Sequence, residues 1–175
     1  MRVAQRSLAA LALALLLGAG CSSNVVRLDP GEYGRRIREA YRAYRRADYD
    51  LAFQRFSYTA RLGDKGSQYT LGLLYLRGQG TEQDLVRGTA WLTVASEIGR
   101  EDWLQASSEL FSALDREQQV AVADLTLQLT DRYGMNAQGI VCRSEKPVGS
   151  IIPRTVCRKQ PGRYLNEGPP AQEID

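Results

Sequence analysis

Apolar residues recur at helical spacing through the middle of the chain. In the segment Tyr33–Ala47, three tyrosines and an isoleucine lie three or four residues apart and so share one helical face. The same spacing predicts further helices, most of them bounded by an aspartate or a glycine. These are Asp48–Leu62, Lys65–Arg77, Asp84–Ile98, Trp103–Leu114 and a last helix from Asp115 to about Tyr133. Residues 33–134 are therefore predicted to be all-α.

Two of these helices are copies of each other. Asp84 lies 36 residues after Asp48, and Gly99 lies 36 residues after Gly63. Because capping and core positions share this offset, the sequence predicts that one helix pair is built more than once. The offset also relates Leu92 to Phe56, Gly88 to Ala52, Leu110 to Leu74 and Phe111 to Tyr75.

Two further features concern packing. Gly72 lies inside a predicted helix, where glycine costs about 1 kcal/mol relative to alanine, so we expect it to let a neighbouring helix come close. Asp115 and Gln118 form a capping-box pattern that starts the last helix. That helix has an apolar surface two faces wide, which suits a terminal helix closing a stack. The faces comprise Val122, Leu125 and Leu129, and Val120, Ala123 and Leu127.

The best-preserved copy, from about Gly66 to Gly99, combines an LGxxY sequence, a Gly-x-Gly turn, an aspartate, and a helix with an aromatic residue, alanines and a final glycine. Its members are Leu71, Gly72, Leu74, Tyr75, Gly78, Gly80, Asp84, Trp91, Ala95 and Gly99. This set resembles the Sel1-like repeat, a relative of the tetratricopeptide repeat (TPR), and the resemblance covers residues 40–114. It implies a short α-solenoid of helix pairs whose first helices line a concave binding surface.

The resemblance also implies a partner-binding stripe on those first helices. A basic groove there favours an acidic peptide, a chain terminus or an anionic polymer, and we expect an adaptor or scaffold that binds an envelope protein. The stripe consists of Thr70, Leu73 and Arg77, extended by Arg38, Arg42 and Arg45. Two alternatives remain for the arginines of Tyr33–Ala47: a solvated face of an amphipathic helix, or a contact of a structural lipoprotein with anionic lipid or cell-wall polymer.

Residues 1–20 have the form of a signal peptide: two arginines, an apolar run from Leu8 to Leu17, and small residues. The run is about half the ~20 residues of a membrane span; a buried N-terminal helix is the alternative. Leu17–Ser23 resembles a bacterial lipobox, which implies lipid attachment (palmitate among the acyl chains) at Cys21 and a tether over residues 21–32. Simple secretion is the other interpretation. Ser22 resembles outer-membrane sorting, so we expect a periplasm-facing lipoprotein of the outer membrane.

The two remaining cysteines, Cys142 and Cys157, lie in two β-rich pieces that flank a turn-prone segment. In an oxidising compartment an even pair favours a disulfide, here one that closes a hairpin-like segment over residues 135–160. A metal site is the alternative, although two cysteines without histidine make a poor one. Residues 161–175, rich in proline, glycine and charge, are expected to form a flexible tail.

The composition limits the chemistry. The chain has no histidine, which removes the commonest general base and most zinc sites. Without Arg2 and Arg6 the basic and acidic side chains number 21 and 20, so net charge gives no reason to expect nucleic-acid binding. The Gly78-Gln79-Gly80 turn follows a helix rather than a strand, unlike a nucleotide-binding loop. We therefore expect no enzyme activity, cofactor, metal or small-molecule substrate.

Overall fold

The computed structural model describes residues 29–160 and the backbone of 25–26 and 165–166. In this part of the chain, six α-helices precede a two-stranded antiparallel hairpin. The helices are α1 (Pro30–Arg45), α2 (Tyr49–Arg61), α3 (Lys65–Arg77), α4 (Leu85–Ala95), α5 (Glu101–Ala113) and α6 (Arg116–Tyr133). The strands are β1 (Val25–Val26), β2 (Ile140–Glu145), β3 (Arg154–Lys159) and β4 (Leu165–Asn166). The predicted all-α repeat region with a C-terminal hairpin is confirmed.

Aspartate caps set most of the helix starts. The side chain of Asp48 accepts a hydrogen bond from the backbone of α2, and Asp84 does the same for α4. Gly63 and Gly99, which follow these helices, both have left-handed backbone conformations, with φ of 83° and 74°. Glycine adopts this conformation without the Cβ clash that other residues suffer. The residues 36 apart in sequence therefore occupy equivalent places in successive helix pairs, as predicted.

The crossing of α3 and α4 depends on two glycines. A Cβ at Gly72 would lie 2.8 Å from the carbonyl oxygen of Gly88 and 2.9 Å from Leu92 Cγ. A Cβ at Gly88 would lie 2.6 Å from Leu76 Cγ. These distances are too short for a real contact, so the two backbones approach closely only because neither residue has a side chain. The expected role of Gly72 is confirmed.

The helices stack in order, each antiparallel neighbour covering the previous one, until the end of the stack. There α6 packs chiefly against α4 and only lightly against α5. One face of α6 is buried through Val122 and Leu129, as predicted. The second apolar face is not: Val120 is 52% and Leu127 is 71% exposed. We correct that expectation: because α6 packs on α4 and makes little contact with α5, this second face stays open.

The hairpin has the predicted register. Cys142 pairs with Cys157 across β2 and β3, and the two form a disulfide. The base of the hairpin packs on the turn between α2 and α3, where Gln138 and Ile140 lie against Gly63. Both of these side chains are buried. The hairpin is thus joined to the helical stack rather than hanging from its end.

The segments before α1 and after β3 also meet. Val25–Val26 pairs antiparallel with Leu165–Asn166. In these two pairs of residues, extended segments satisfy each other's backbone hydrogen-bonding groups. Signal peptide 1–20 and Cys21 lie outside the described residues. None of the helices within residues 29–160 has the length and apolar character needed to cross a bilayer.

Candidate interaction surface

The arginines of α1 and its C-cap divide into a paired and an unpaired set. Arg36 forms an ion pair with Glu32 at 2.7 Å, and Arg35 lies 3.9 Å from the same carboxylate. The other four arginines take part in no ion pair within residues 29–160, and their side chains are exposed. An arginine without an internal carboxylate keeps all its donors for another anion. The unpaired set is Arg38, Arg42, Arg45 and, at the C-cap, Arg46.

The opposite face of α1 fixes this helix on the stack. Tyr41 packs edge-on against Phe56 of α2, with ring centroids 5.0 Å apart, and Tyr44 contacts the same ring at 6.2 Å. Burial raises the pKa of Tyr41, against the opposing effect of a hydrogen bond with the Thr70 hydroxyl. Because these rings lock the rotation of α1, its basic face is held toward solvent.

The residues predicted on α3 lie beside α1. Thr70 is 8% exposed, and its hydroxyl donates to the Gly66 carbonyl at 2.9 Å. Leu73 is half-buried. Arg77 is exposed, and its Nη1 donates to Tyr44 Oη at 3.2 Å. The structure therefore brings Arg77 to the C-terminal half of α1, whereas Thr70 is a packing residue with little surface left for a partner.

An aromatic stack that the sequence does not predict extends this surface toward α5. The Tyr69 ring stacks on Trp103 with centroids 4.4 Å apart, and the Arg100 guanidinium lies 4.6 Å from the Trp103 ring centroid. Tyr69, Leu73 and Arg77 follow one another at four-residue spacing and so form a single ridge along α3. The sequence gives one indication of where Trp103 lies: it falls in the predicted first helix of the third helix pair.

We use the name first-helix surface for the solvent-facing side of α1, α3 and α5. Its centre is the ridge on α3, which contacts α5 at Tyr69 and α1 at Arg77. Arg100 at its edge is paired with Asp102, and this contact lowers the pKa of Asp102. The surface consists of Arg38, Arg42, Arg45, Tyr69, Leu73, Arg77 and Arg100, with the buried Trp103 stacked against Tyr69.

A second group centres on a buried lysine of α3 and joins it to α4 and to the turn that follows α4. Lys65 is 5% exposed, and its Nζ donates to Gln68 Oε1 at 2.8 Å, to the Val94 carbonyl at 3.0 Å and to Glu97 Oε2 at 2.6 Å. Burial lowers its pKa, and the hydrogen bond to Glu97 opposes that shift. All three donors of the ammonium group are satisfied. This group is a packing contact with no donor free for a substrate.

A third group lies where the hairpin meets the stack. Lys159 Nζ donates to Gln138 Oε1 at 3.1 Å and lies 5.7 Å from the centroid of the Tyr33 ring. Burial lowers the pKa of Lys159 to about 8, and the Asp64 carboxylate opposes this shift. Burial also raises the pKa of Asp64 and of Tyr33. These groups connect β3 to α1 and to the start of α3.

In the part of the chain that the structure describes, no group of three or more histidine, cysteine, aspartate or glutamate side chains is placed to bind a metal ion. The two cysteines described are joined in the Cys142–Cys157 disulfide. That pairing confirms the disulfide interpretation of these residues.

No protein-family model matches the sequence, and no curated protein matches it. Among solved structures, the chain is similar to a protective antigen of uropathogenic Escherichia coli strains that displays a Sel1-like repeat (SLR) fold. The TM-score is 0.55 at 23% identity, over 62% of this chain. The match spans 24% of that chain, so this protein corresponds to about a quarter of its length. The similarity supports a Sel1-like repeat fold for the helical region.

Proposed function

We propose that this protein is a membrane-anchored binding protein of the bacterial cell envelope. Its first-helix surface holds an acidic peptide segment of another envelope protein. The observation that carries the proposal is the set of exposed arginines on α1, unpaired within residues 29–160, beside the partly exposed ridge of α3. Such a surface supplies charge-assisted donors next to apolar and aromatic area, which is the composition that recognition of an acidic chain requires.

Recognition fits the structure better than catalysis. The buried Lys65, its partner Glu97 and the partly buried Lys159 are engaged in hydrogen bonds that join the helices and the hairpin to one another. The shifted pKa values of the two lysines have burial at packing contacts as the main cause. The unengaged charges lie on an open, solvated surface, where they attract an anionic partner without perturbing its chemistry.

Each part of the surface has its own role. Arg38 and Arg42 lie one helical turn apart on α1, a spacing that suits carboxylates along an extended acidic segment. Arg77 contributes from α3, and Leu73 and Tyr69 offer apolar area along the ridge. Because the arginines act mainly through long-range attraction, they are expected to raise the association rate and to make binding salt-dependent.

The test is the triple variant Arg38→Glu, Arg42→Glu and Arg77→Glu, with affinity purification from gently solubilised membranes and mass spectrometry of the co-purified proteins. We expect a discrete partner with the unmodified chain and its loss with the triple variant. The matched control, Arg116→Glu, Arg132→Glu and Arg143→Glu, reverses the same charge at exposed positions elsewhere. Unchanged partners in the first variant, with both variants folded by circular dichroism, refute the assignment of the surface.

The anchor is tested separately. Metabolic labelling with palmitate is expected to mark the unmodified chain and not the Cys21→Ser variant. The variant is also expected to leave the membrane fraction for the soluble periplasmic fraction. Equal labelling of both chains refutes lipid attachment at Cys21 and leaves the first-helix surface unaffected.

A second candidate is a structural lipoprotein that contacts anionic lipid or cell-wall polymer through the same arginines. The observation that favours it is the short distance in sequence between the predicted tether, which ends at residue 32, and Arg38, the first of the unpaired set. Crosslinking in intact cells distinguishes the two. A discrete protein adduct supports the adaptor, whereas adducts with lipid or cell-wall material alone support the structural role.

A further inference from the structure

The loop between β2 and β3 exposes aliphatic side chains that nothing in the described chain covers. Val148 is fully exposed, Ile151 is 90% exposed and Ile152 is 68% exposed. We call residues 146–154 the hairpin tip. Single exposed aliphatic residues are common on protein surfaces, but three in one short loop concentrate apolar area at one place, which we call the apolar patch.

The hairpin tip contains a hydrogen-bonded turn. The Ser150 backbone N–H donates to the Pro147 carbonyl at 3.0 Å, and Gly149 has the positive φ, 80°, that this turn requires. The Ile152 N–H donates to Ser150 Oγ at 3.2 Å. Its backbone groups are therefore partly satisfied inside the loop, which lowers the free-energy cost of moving them into a less polar environment.

Basic residues surround the apolar patch. Lys146 directly follows β2 and Arg154 begins β3, so they flank the patch in sequence, and neither has an ion pair within residues 29–160. The segment 140–160 contains five basic residues and one acidic residue, Glu145, which is paired with Arg158. An aliphatic tip with a collar of cations matches the interface of an anionic bilayer, where acyl chains lie beneath phosphate groups.

The hairpin holds its tip away from the helical stack. Its base is fixed by Ile140 and Gln138 against Gly63, and the Cys142–Cys157 disulfide braces the two strands. At ~3.4 Å per residue, the five steps from Ile140 to Glu145 place the tip roughly 17 Å beyond that base. The patch thus lies at the far end of a short, disulfide-linked hairpin.

We propose that the hairpin tip inserts into the interface of an anionic lipid bilayer. Val148, Ile151 and Ile152 enter the acyl-chain boundary, and Lys146 and Arg154 remain at the level of the phosphates. This contact depends neither on lipid attachment at Cys21 nor on the first-helix surface. It gives the protein a second point of membrane contact, on the C-terminal hairpin.

The experiment places a fluorescent probe at the tip. The full chain is produced with Cys21→Ser in every arm, so that no acyl chain contributes, and is purified after export. Ile151→Trp reports on the tip, and Leu127→Trp is the matched control, since Leu127 is an exposed leucine (71%) on α6. Trp91 and Trp103 are buried and contribute the same background to both.

Vesicles of phosphatidylglycerol and phosphatidylethanolamine with brominated acyl chains are added, and quenching is measured against brominated phosphatidylcholine vesicles. We expect a blue shift and strong quenching for Ile151→Trp with anionic vesicles, and neither for Leu127→Trp. Adding Lys146→Gln and Arg154→Gln is expected to raise the anionic lipid concentration needed for half-maximal quenching about 30-fold.

Equal quenching of the two probes overturns the proposal, because it shows contact that is not specific to the tip. A blue shift of Ile151→Trp that appears without lipid and grows with protein concentration also overturns it, in favour of a second copy of the chain. An unchanged lipid dependence after the two glutamine substitutions overturns the role of the basic collar and with it the anionic interface.

Discussion

The α3–α4 pair and the α5–α6 pair follow the same repeated pattern but pack differently. In the first pair, Gly72 and Gly88 let the helices cross at backbone contact. In the second, the residue 36 positions after Gly72 is Ser108, which is exposed, and α6 packs on α4 instead of closing against α5. The close crossing thus accompanies two glycines in the first pair, and the second pair has Ser108 and Asp124 at the corresponding positions.

The turns before α3 and α5 also have similar backbones but differ in what packs against them. Gly63 and Gly99 have similar backbone conformations, but a Cβ at Gly63 would lie 2.8 Å from Gln138 and Ile140, whereas a Cβ at Gly99 would meet nothing within 4 Å. Lys65 in the next turn is buried, and its counterpart Glu101 is exposed. The repeat pattern therefore sets the backbone, and neighbouring elements decide how much each copy is buried.

The largest expected effect is at the helix crossing. Gly72→Val places side-chain atoms against the Gly88 carbonyl, so α3 and α4 must separate, and we expect a loss of about 3 kcal/mol or more in the free energy of unfolding. Ser108→Val at the equivalent exposed position is the control and is expected to change stability by about 0.5 kcal/mol or less. Urea denaturation measures both. Similar losses in the two variants contradict the comparison.

The next largest effect on stability is expected at the buried ammonium group of Lys65. Lys65→Met keeps most of the volume but removes the ammonium donor from Gln68 Oε1, the Val94 carbonyl and Glu97, which keeps only the Met135 N–H, and we expect a loss of about 2 kcal/mol. Glu101→Met, at the equivalent exposed position on α5, is expected to be nearly neutral. Thermal denaturation followed by circular dichroism compares the two. A neutral Lys65→Met shows that these acceptors find water and that Lys65 is dispensable.

The two turns give a smaller contrast. Gly99→Ala forces a side chain into a left-handed conformation, at a cost of about 1 kcal/mol. Gly63→Ala has the same cost and in addition displaces Gln138 and Ile140, so we expect a loss of about 2 kcal/mol. Proteolysis between β2 and β3 is expected to accelerate only in Gly63→Ala. Equal behaviour of the two variants contradicts docking of the hairpin on this turn.

Local signals predict much of this structure. The helix Lys65–Arg77, the Asp115 capping box and the Cys142–Cys157 register lie where the sequence indicates, because each depends on residues close in the chain or on a two-residue periodicity. The 36-residue offset finds equivalent helices because caps and terminal glycines repeat with it. These are features that a single chain segment encodes by itself.

The rest depends on contacts between distant segments. The stack of Tyr69 on Trp103 is not predicted, because neither residue marks its partner in the sequence. The second apolar face of α6 is exposed against expectation, since periodicity reports an apolar face but not whether a neighbour reaches it. Of the candidate surface, the exposure of Arg38, Arg42 and Arg45 follows from the helix pattern, and the burial of Thr70 against α1 does not.

The smallest expected effect is a dependence of the free energy of unfolding on pH. It arises where the hairpin contacts the helical stack, a contact that the α5–α6 end lacks. The pKa of Lys159 is about 8 in the folded protein, against 10.5 for a lysine side chain in water, so between these values the unfolded chain binds more protons. The free energy of unfolding is therefore expected to rise with pH between these two values. Below about pH 8, the folded protein bears the full cost of burying the charged lysine.

Because Lys159 is only partly buried, we expect a gain of about 1 kcal/mol between pH ~8 and pH ~10. Lys159→Met is expected to reduce this slope to the part that Lys65 contributes, since burial lowers the pKa of Lys65 as well, and to raise stability at neutral pH. Lys146→Met, at the exposed hairpin tip, is expected to retain the full slope. Urea denaturation at half-unit pH steps measures both. The raised pKa of Tyr33 and of Tyr41 gives the opposite slope above about pH 10, so the lysine contribution is read below that point. A slope in Lys159→Met as steep as that of the unmodified protein assigns the titration to another group and leaves the burial of Lys159 without thermodynamic consequence.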